Sequence, residues 1–164
     1  MLIAAAGGVA LTLLVVAAGR LGLFAGTPPT DLGVRDGRLK APSLRPNSVS
    51  SQAGLWPGHP QREHARIAPL ALAGSGPDAG PATIARLRRL VEDTPGAQVV
   101  YAGPDYLRAS YTTALMKFTD DVELWFDAAA GAVQVRSASR LGESDLGAAG
   151  APPRRPPTPR QGPA

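Results

Sequence analysis

The chain has 164 residues, of which 44% are hydrophobic, and a formal net charge of +4 at pH 7, which suits one folded domain with attachments. It contains no cysteine, which excludes disulfides and thiolate chemistry, and neither His59 nor His64 belongs to a cluster with metal-ligand spacing, so no metal and no cofactor is predicted. Nucleic acid is not a predicted partner, because three of the positive charges (Arg154, Arg155 and Arg160) lie in a proline-rich tail without interleaved aromatic residues.

The stretch from Leu2 to Phe24 predicts a membrane anchor or a signal segment over residues 1–25. Residues 2–19 carry no charge, and as a helix they would extend roughly 27 Å, close to the ~30 Å hydrocarbon core of a bilayer. Arg20 follows at the end of the run, where an arginine side chain can reach the headgroups. We favour a retained anchor over a cleaved signal, because the basic region that normally opens a secretory signal is missing.

The orientation of this anchor has two readings. Arg20, Arg35, Arg38 and Lys40 all follow the apolar run, and under the positive-inside rule they place the rest of the chain in the cytoplasm. If the natural start lies upstream and carries basic residues, the domain faces the other side. We expect a bacterial inner-membrane protein whose domain faces the periplasm, with the orientation left open.

Beyond the anchor, the chain divides into a linker, one domain and a tail. Residues 26–31 contain a proline pair and predict an extended linker. Residues 32–147 form the domain. Residues 148–164 predict a disordered Pro/Arg-rich tail, because their prolines prevent a regular helix.

The first regular elements of the domain are an edge strand and a helix. Residues 67–72 form a short apolar run, and Pro69 restricts it to a sheet edge because proline cannot donate to a ladder. A helix is predicted from about Pro81 to the stop at residues 94–96. Its apolar positions recur at three- and four-residue spacing, at Ile84, Leu87, Leu90 and Val91.

Four strand patterns follow the helix, at residues 97–102, 106–115, 122–126 and 133–136. Apolar and polar residues alternate in them with period two, which is typical of an antiparallel meander with one buried face. The order β-α-β-β-β-β predicts an α+β fold, in which one helix covers an antiparallel sheet.

The register of the last two strands predicts an ion pair. If Phe126 pairs with Val133, then Glu123 falls opposite Arg136, and a slip of two residues would place Asp121 there instead. We interpret this as an ion pair on the solvent surface of the sheet. The alternative is an anion-binding patch of Arg136 with the nearby Ser137, Ser139 and Arg140, because guanidinium groups bind carboxylates and phosphates bidentately.

Six motifs, in order, resemble one family. They are the segments LGVRDGRL (32–39), PNSVSSQ (46–52), HARIAPL (64–70), YLRA (106–109), FTDDVE (118–123) and RSASRLGESDLG (136–147). Together they are similar to domain of unknown function 1499 (DUF1499), found in bacteria and in plastid-containing eukaryotes, and the resemblance covers residues 32–147. Many relatives have hydrophobic N-termini, which implies an envelope or membrane setting.

The chain departs from this resemblance at two places. Pro42 and Ser48 stand where the family often has cysteines, so a disulfide or thiol role is not general to the fold. After residue 147 relatives typically continue with an amphipathic helix rich in Asn and Arg, whereas this chain has its proline-rich tail.

The resemblance and the strand-face argument yield a set of candidate ligand-binding residues. We interpret residues 47–51 as a turn whose side chains bond their own backbone. The full candidate set is Asn47, Ser50, Ser51, Asp120, Asp121, Glu123, Trp125, Arg136, Ser137, Ser139, Arg140 and Asp145.

Three classes of function are compatible with these residues. A binding module for a small molecule, lipid or protein would use Tyr106 and Trp125 together with the arginines. A hydrolase could use Ser50 or Ser51 with His64 and Asp120, although the sequence has no Gly-x-Ser-x-Gly elbow. Paired carboxylates could also serve acid–base chemistry or hold a divalent cation. The third class is a structural role in envelope assembly. We predict a membrane-associated binding or assembly module without catalytic residues.

Overall fold

The computed structural model describes residues 13–141, and these form an α+β fold, as predicted. Residues 1–12 and 142–164 lie outside the described residues, and with them about half of the predicted anchor (residues 1–25), the predicted tail and Asp145. The elements are β1 (Ser48–Ser50), a short 3₁₀-helix (Ala53–Leu55), α1 (Ala79–Glu92), β2 (Ala97–Ala102), β3 (Tyr106–Thr112), β4 (Thr119–Asp127) and β5 (Ala132–Ser139). The five strands form one antiparallel sheet in the order β1-β5-β4-β3-β2.

One face of the sheet forms the hydrophobic core under α1. Ile84 of α1 is buried against Leu107, Leu124 and Val133, one residue from each of the three inner strands. The helix approaches the sheet closely at Gly80, where a side-chain carbon would overlap the ring of Phe126. The apolar residues that recur every second position in the strands and every three to four positions in α1 therefore form the two surfaces that meet in this core.

The first strand differs from the prediction. Residues 67–72 do not form a strand but add one isolated bridge, in which Leu70 and Val133 exchange two hydrogen bonds of 2.9 Å. Ser48–Ser50, predicted as part of a turn, instead forms a strand that pairs with residues 136–138 of β5, so that Ser50 lies opposite Arg136. Serine is tolerated in this strand because pairing with β5 provides hydrogen-bond partners for backbone N–H and C=O groups.

The third strand is shorter than predicted. β3 ends at Thr112 rather than at Leu115, because residues 113–118 close a loop. Thr113 N–H donates to the Phe118 carbonyl (2.9 Å), and Phe118 N–H donates to the Thr113 hydroxyl (3.0 Å). We call residues 113–118 the β3–β4 loop.

Residues 26–41 cover the second face of the sheet, and we call them the covering segment. The carbonyls of Pro29 and Ala41 accept hydrogen bonds from Arg108 (2.9 Å) and Arg136 (3.3 Å). Within the segment, residues 35–38 form a tight hairpin turn with Asp36 and Gly37 at φ 51° and 69°, the left-handed conformations that such a turn requires. The domain therefore has three layers: covering segment, sheet and helix.

The chain before the covering segment contacts the β3–β4 loop. Residues 13–20 are helical. Gly19 lies against Met116, and the rings of Phe24 and Phe118 are 5.6 Å apart. Over residues 13–141, no helix has both the length and the apolarity needed to cross a membrane.

Candidate functional site

A buried ion pair lies at the centre of the covered face. Glu123 is opposite Arg136 in the β4–β5 ladder, as the Phe126–Val133 register predicted. Both side chains are 0% exposed, and Oε2 of Glu123 is 3.6 Å from Nη1 of Arg136. The prediction that this pair lies on the solvent surface was wrong, because the covering segment lies over that face of the sheet.

Glu123 also joins three parts of the fold. Its Oε1 accepts a hydrogen bond from the backbone N–H of Gly33 in the covering segment and another from the Tyr106 hydroxyl in β3, each 2.7 Å long. Burial raises the pKa of the Tyr106 phenol well above its ordinary range, and the hydrogen bond to the Glu123 carboxylate raises it further. This carboxylate therefore holds the covering segment and Tyr106 in fixed positions.

A second acid, Asp121, holds two arginines on the same face. It is 2% exposed and accepts two hydrogen bonds from Arg140, through Nε (2.7 Å) and Nη2 (3.0 Å). Nη2 of Arg108 lies 3.8 Å from the same carboxylate and donates to the Pro29 carbonyl. The bidentate geometry fixes the guanidinium of Arg140 more firmly than a single contact would.

Beside these charges, a cleft of about 650 Å³ opens where β2 turns into β3. The rings of Tyr101 and Tyr106 are 5.9 Å apart and tilted, and Trp125 pairs with Tyr106 across the β3–β4 ladder. We call this the aromatic cleft. It is lined by Leu32, Val34, Gly37, Tyr101, Asp105, Tyr106, Arg108 and Trp125.

The sequence reasoning identified Tyr106 and Trp125 but missed the rest of the aromatic cleft. Arg108 could have been found, because it lies two residues after Tyr106 on the same strand face. Tyr101 could not, because an irregularity in the β2–β3 pairing after Val99 brings it opposite Arg108. The covering-segment residues carry no periodic pattern that would predict their place on the sheet.

The predicted candidates separate onto the two faces of the sheet. Asp121, Glu123 and Trp125 lie on the covered face with Arg136, and Ser50 is opposite Arg136. Asp120, Ser137 and Ser139 alternate to the other face, as period two requires. The structure therefore places Arg136 beside Glu123 and Arg140 beside Asp121, and directs the two serines to the opposite face.

A small polar groove of about 190 Å³ on the other face collects the second group. The amide of Asn47 donates to the carbonyls of Ser139 (3.2 Å) and Leu141 (3.1 Å), and Ser48–Ser50 is a strand, so the predicted turn is not formed. Of the predicted bonds to nearby backbone, the Ser50 hydroxyl makes one, to the Gln52 N–H (3.1 Å). The groove is lined by Pro46, Asn47, Ser48, Val49, His64, Asp120, Ser137 and Ser139.

The two serines proposed for a hydrolase are engaged elsewhere. Ser50 is fully buried, and its hydroxyl accepts a hydrogen bond from the Gln52 backbone. The Ser51 hydroxyl donates to Gln134 (2.7 Å) and accepts from the Val135 N–H. Within residues 13–141, no three His, Asp or Glu side chains are grouped closely enough to hold a metal ion.

Comparison with known proteins identifies a family. The family model described as "Protein of unknown function (DUF1499)" matches residues 38–151. No curated protein and no solved structure shows significant similarity to the chain. The match spans more than half of the chain and agrees with the resemblance carried by the six motifs. The chain therefore belongs to the family of proteins of unknown function DUF1499.

Proposed function

We propose that this protein is a membrane-associated, non-catalytic binding module whose small-molecule ligand occupies the aromatic cleft. The observation that carries the proposal is the cleft itself, which combines a volume of about 650 Å³ with aromatic walls and an arginine. Small-molecule sites typically have ~300–1,000 Å³ and combine apolar walls with a few fixed polar groups.

The lining of the aromatic cleft indicates the chemistry of the ligand. Tyr101, Tyr106 and Trp125 offer ring surfaces to a flat or apolar body. Arg108 supplies a guanidinium, which suits a carboxylate, sulfonate or phosphate. We therefore expect a small molecule that has a ring or apolar body and one anionic group.

The buried charges below the cleft support its shape. Tyr106 is held by Glu123, and Arg108 is held by the Pro29 carbonyl and Asp121. Groups that are fixed before binding lose less conformational entropy when the ligand arrives. We assign the buried acids this supporting role, in place of direct ligand contact.

A hydrolase remains the alternative, and one observation favours it. The polar groove brings His64 and Asp120 beside Ser137 and Ser139. Among the described residues, however, no hydrogen bond joins His64 to Asp120 or to either serine, whereas an activated serine needs a base within hydrogen-bond reach. Turnover of p-nitrophenyl esters that is lost in both Ser137→Ala and Ser139→Ala variants would support this alternative.

Membrane association rests on the sequence of residues 2–19, which carries no charge over 18 positions. The location that we propose is the bacterial inner membrane, with the domain in the periplasm. A protein at that location could also act in envelope assembly. Protease digestion of intact spheroplasts tests on which side of the inner membrane the domain lies. Digestion of the domain without lysis supports the periplasm, and protection until lysis contradicts it.

Binding in the aromatic cleft is tested with a probe of the expected chemistry, 8-anilinonaphthalene-1-sulfonate, added to the full chain in detergent. The chain has two tryptophans, so a Trp56→Phe background leaves Trp125 as the only tryptophan donor of energy transfer to the probe. We expect saturable transfer from Trp125 and weaker transfer to the neutral analogue N-phenyl-1-naphthylamine, which lacks the sulfonate.

Two exposed tyrosines provide a matched pair of variants. Tyr101 is 56% exposed in the cleft, and Tyr111 is 41% exposed outside its lining. Tyr101→Ala should weaken probe binding about twofold to twelvefold, the loss of one aromatic contact of ~0.5–1.5 kcal/mol, and Tyr111→Ala should leave it unchanged. Equal effects of the two variants would contradict binding in the cleft.

A further inference from the structure

We propose that the β3–β4 loop and residues 19–24 form one surface that rests on a lipid bilayer and directs the aromatic cleft into water. This inference depends on the membrane association proposed above. We call the surface the loop surface, and its apolar side chains are Leu21, Leu23, Phe24, Leu115, Met116 and Phe118.

The two parts of the loop surface are held together by contacts at both ends. Gly19 is buried against Met116 so closely that a side-chain carbon at Gly19 would lie 3.1 Å from the Met116 Cα and Sδ atoms. Five residues later, the ring of Phe24 lies 5.6 Å from that of Phe118. The chain that leaves the apolar N-terminal stretch is thus fixed to the loop.

The loop surface leaves large apolar side chains in solvent. Leu21 is 81% exposed, Leu23 is 68% exposed and Leu115 is 52% exposed. Phe118 is partly exposed beside them, and the hydrogen bonds between Thr113 and Phe118 hold the loop in this shape. An apolar group of this kind, presented by a rigid loop, is typical of an interaction surface.

The charges around the loop surface favour a lipid bilayer as the occupant. Arg20 and Lys117 flank the apolar side chains, while residues 1–30 and 113–119 contain no Asp or Glu. Cations beside apolar side chains suit the boundary between anionic headgroups and acyl chains. In the sequence, residues 19–24 directly follow the uncharged stretch 2–19, and Leu13 and Leu14 in the described part of that stretch are exposed.

This placement sets the position of the aromatic cleft. β3 runs from Tyr106 in the cleft to Thr112 at the β3–β4 loop, a distance of about 20 Å at ~3.3 Å per residue. With the loop on the headgroups, the cleft faces the aqueous phase at the far end of the sheet. A ligand would then arrive from water and would not be a lipid taken directly from the bilayer.

Because the chain has no cysteine, single reporters can be placed without background labelling. Leu115→Cys and Ala114→Cys place an environment-sensitive nitrobenzoxadiazole dye on the exposed part of the loop, and Ala129→Cys places it on the exposed turn at the other end of the sheet. Each full-length variant is reconstituted into vesicles of phosphatidylcholine and phosphatidylglycerol, with and without doxyl-labelled lipid.

We expect the doxyl lipids to quench the dye at residues 114 and 115 at least threefold more than the dye at residue 129. Equal quenching at the two ends, in protein that floats with the vesicles, would overturn the loop contact but leave membrane association standing. Failure to float would overturn both. A disulfide formed between unlabelled Leu115→Cys chains with copper–phenanthroline as oxidant, together with no quenching of the labelled chains, would assign the surface to a second copy and would also overturn the proposal.

Discussion

Glu123 and Arg136 face each other across the β4–β5 ladder with neither side chain exposed to solvent. The 3.6 Å between Oε2 and Nη1 is too long for a hydrogen bond, so the attraction between these two atoms is electrostatic. Burying two charges is costly, and the cost is offset only when both remain present and their other polar atoms are satisfied. The hydrogen bonds of Glu123 to Gly33 and Tyr106 meet part of that requirement.

The first prediction concerns the charge of Glu123. Glu123→Gln keeps an oxygen that can accept from Gly33 and Tyr106 but removes the negative charge beside Arg136. We expect the free energy of unfolding to fall by about 3–5 kcal/mol, the usual effect of removing one partner of a buried pair. Urea unfolding followed by circular dichroism measures it.

A double-mutant cycle and an exposed pair provide the controls for this prediction. Adding Arg136→Met to Glu123→Gln should destabilise by less than the sum of the two single changes. On α1, Arg88 and Glu92 form an exposed pair, and Glu92→Gln should cost no more than about 0.5 kcal/mol. Additive effects in the cycle would contradict a direct coupling of Glu123 and Arg136.

The second prediction concerns the Tyr106 phenol, whose pKa is raised by burial and by its hydrogen bond to Glu123. Because the unfolded chain ionises first, the stability from this group is fully present below the unfolded-state pKa of about 10 and is lost as the pH rises above it. Ionised tyrosine absorbs at 295 nm, so the difference in this absorbance between wild type and Tyr106→Phe reports the ionisation of Tyr106. We expect that difference to appear only above pH ~10. A difference that titrates at or below that value would contradict the buried hydrogen bond.

The third prediction concerns the close approach of α1 to the sheet. Gly80 lies in the first turn of α1, and replacing a helix glycine by alanine normally stabilises a helix, by ~0.5–1 kcal/mol at an interior position. At Gly80 we expect the opposite sign, a loss of about 1–3 kcal/mol, because the methyl group would overlap the ring of Phe126. Gly74→Ala, in a loop with open space around it, should change the unfolding free energy little. A stabilising Gly80→Ala would show that the ring can move aside.

Elements with regular alternation could be predicted from the sequence. Val122, Leu124 and Phe126 alternate with charged and aromatic residues, which gave both the strand and its core face. The pairing of Phe126 with Val133 was one of two registers, two residues apart, that keep the apolar residues on one side, and the alternation alone did not choose between them. Helix α1 was predicted in the same way, from apolar residues at Ile84 and Leu87.

The covering segment could not be predicted, and the errors about the site follow from it. Its contacts with the sheet use backbone groups of Pro29, Gly33 and Ala41, and such contacts leave no pattern of side chains in the sequence. Without that layer, Glu123 and Arg136 would lie on a surface. β1 was missed because its serines are typical of turns. What identifies it as a strand is its contact with β5, including the hydrogen bond from the Ser51 hydroxyl, immediately after β1, to Gln134.

The fourth prediction concerns the two hydrogen bonds that Arg140 donates to the Asp121 carboxylate. Arg140 lies against Gly26, at the start of the covering segment. Arg140→Lys keeps the positive charge but cannot make two parallel hydrogen bonds to the carboxylate. Since Asp121 is buried, we expect a loss of about 1.5–3 kcal/mol in the free energy of unfolding, the usual range for a hydrogen bond to a charged group. The same change at the exposed Arg88 should cost less than about 0.5 kcal/mol. If both variants lose the same amount in chemical denaturation, these two hydrogen bonds do not hold this end of the sheet.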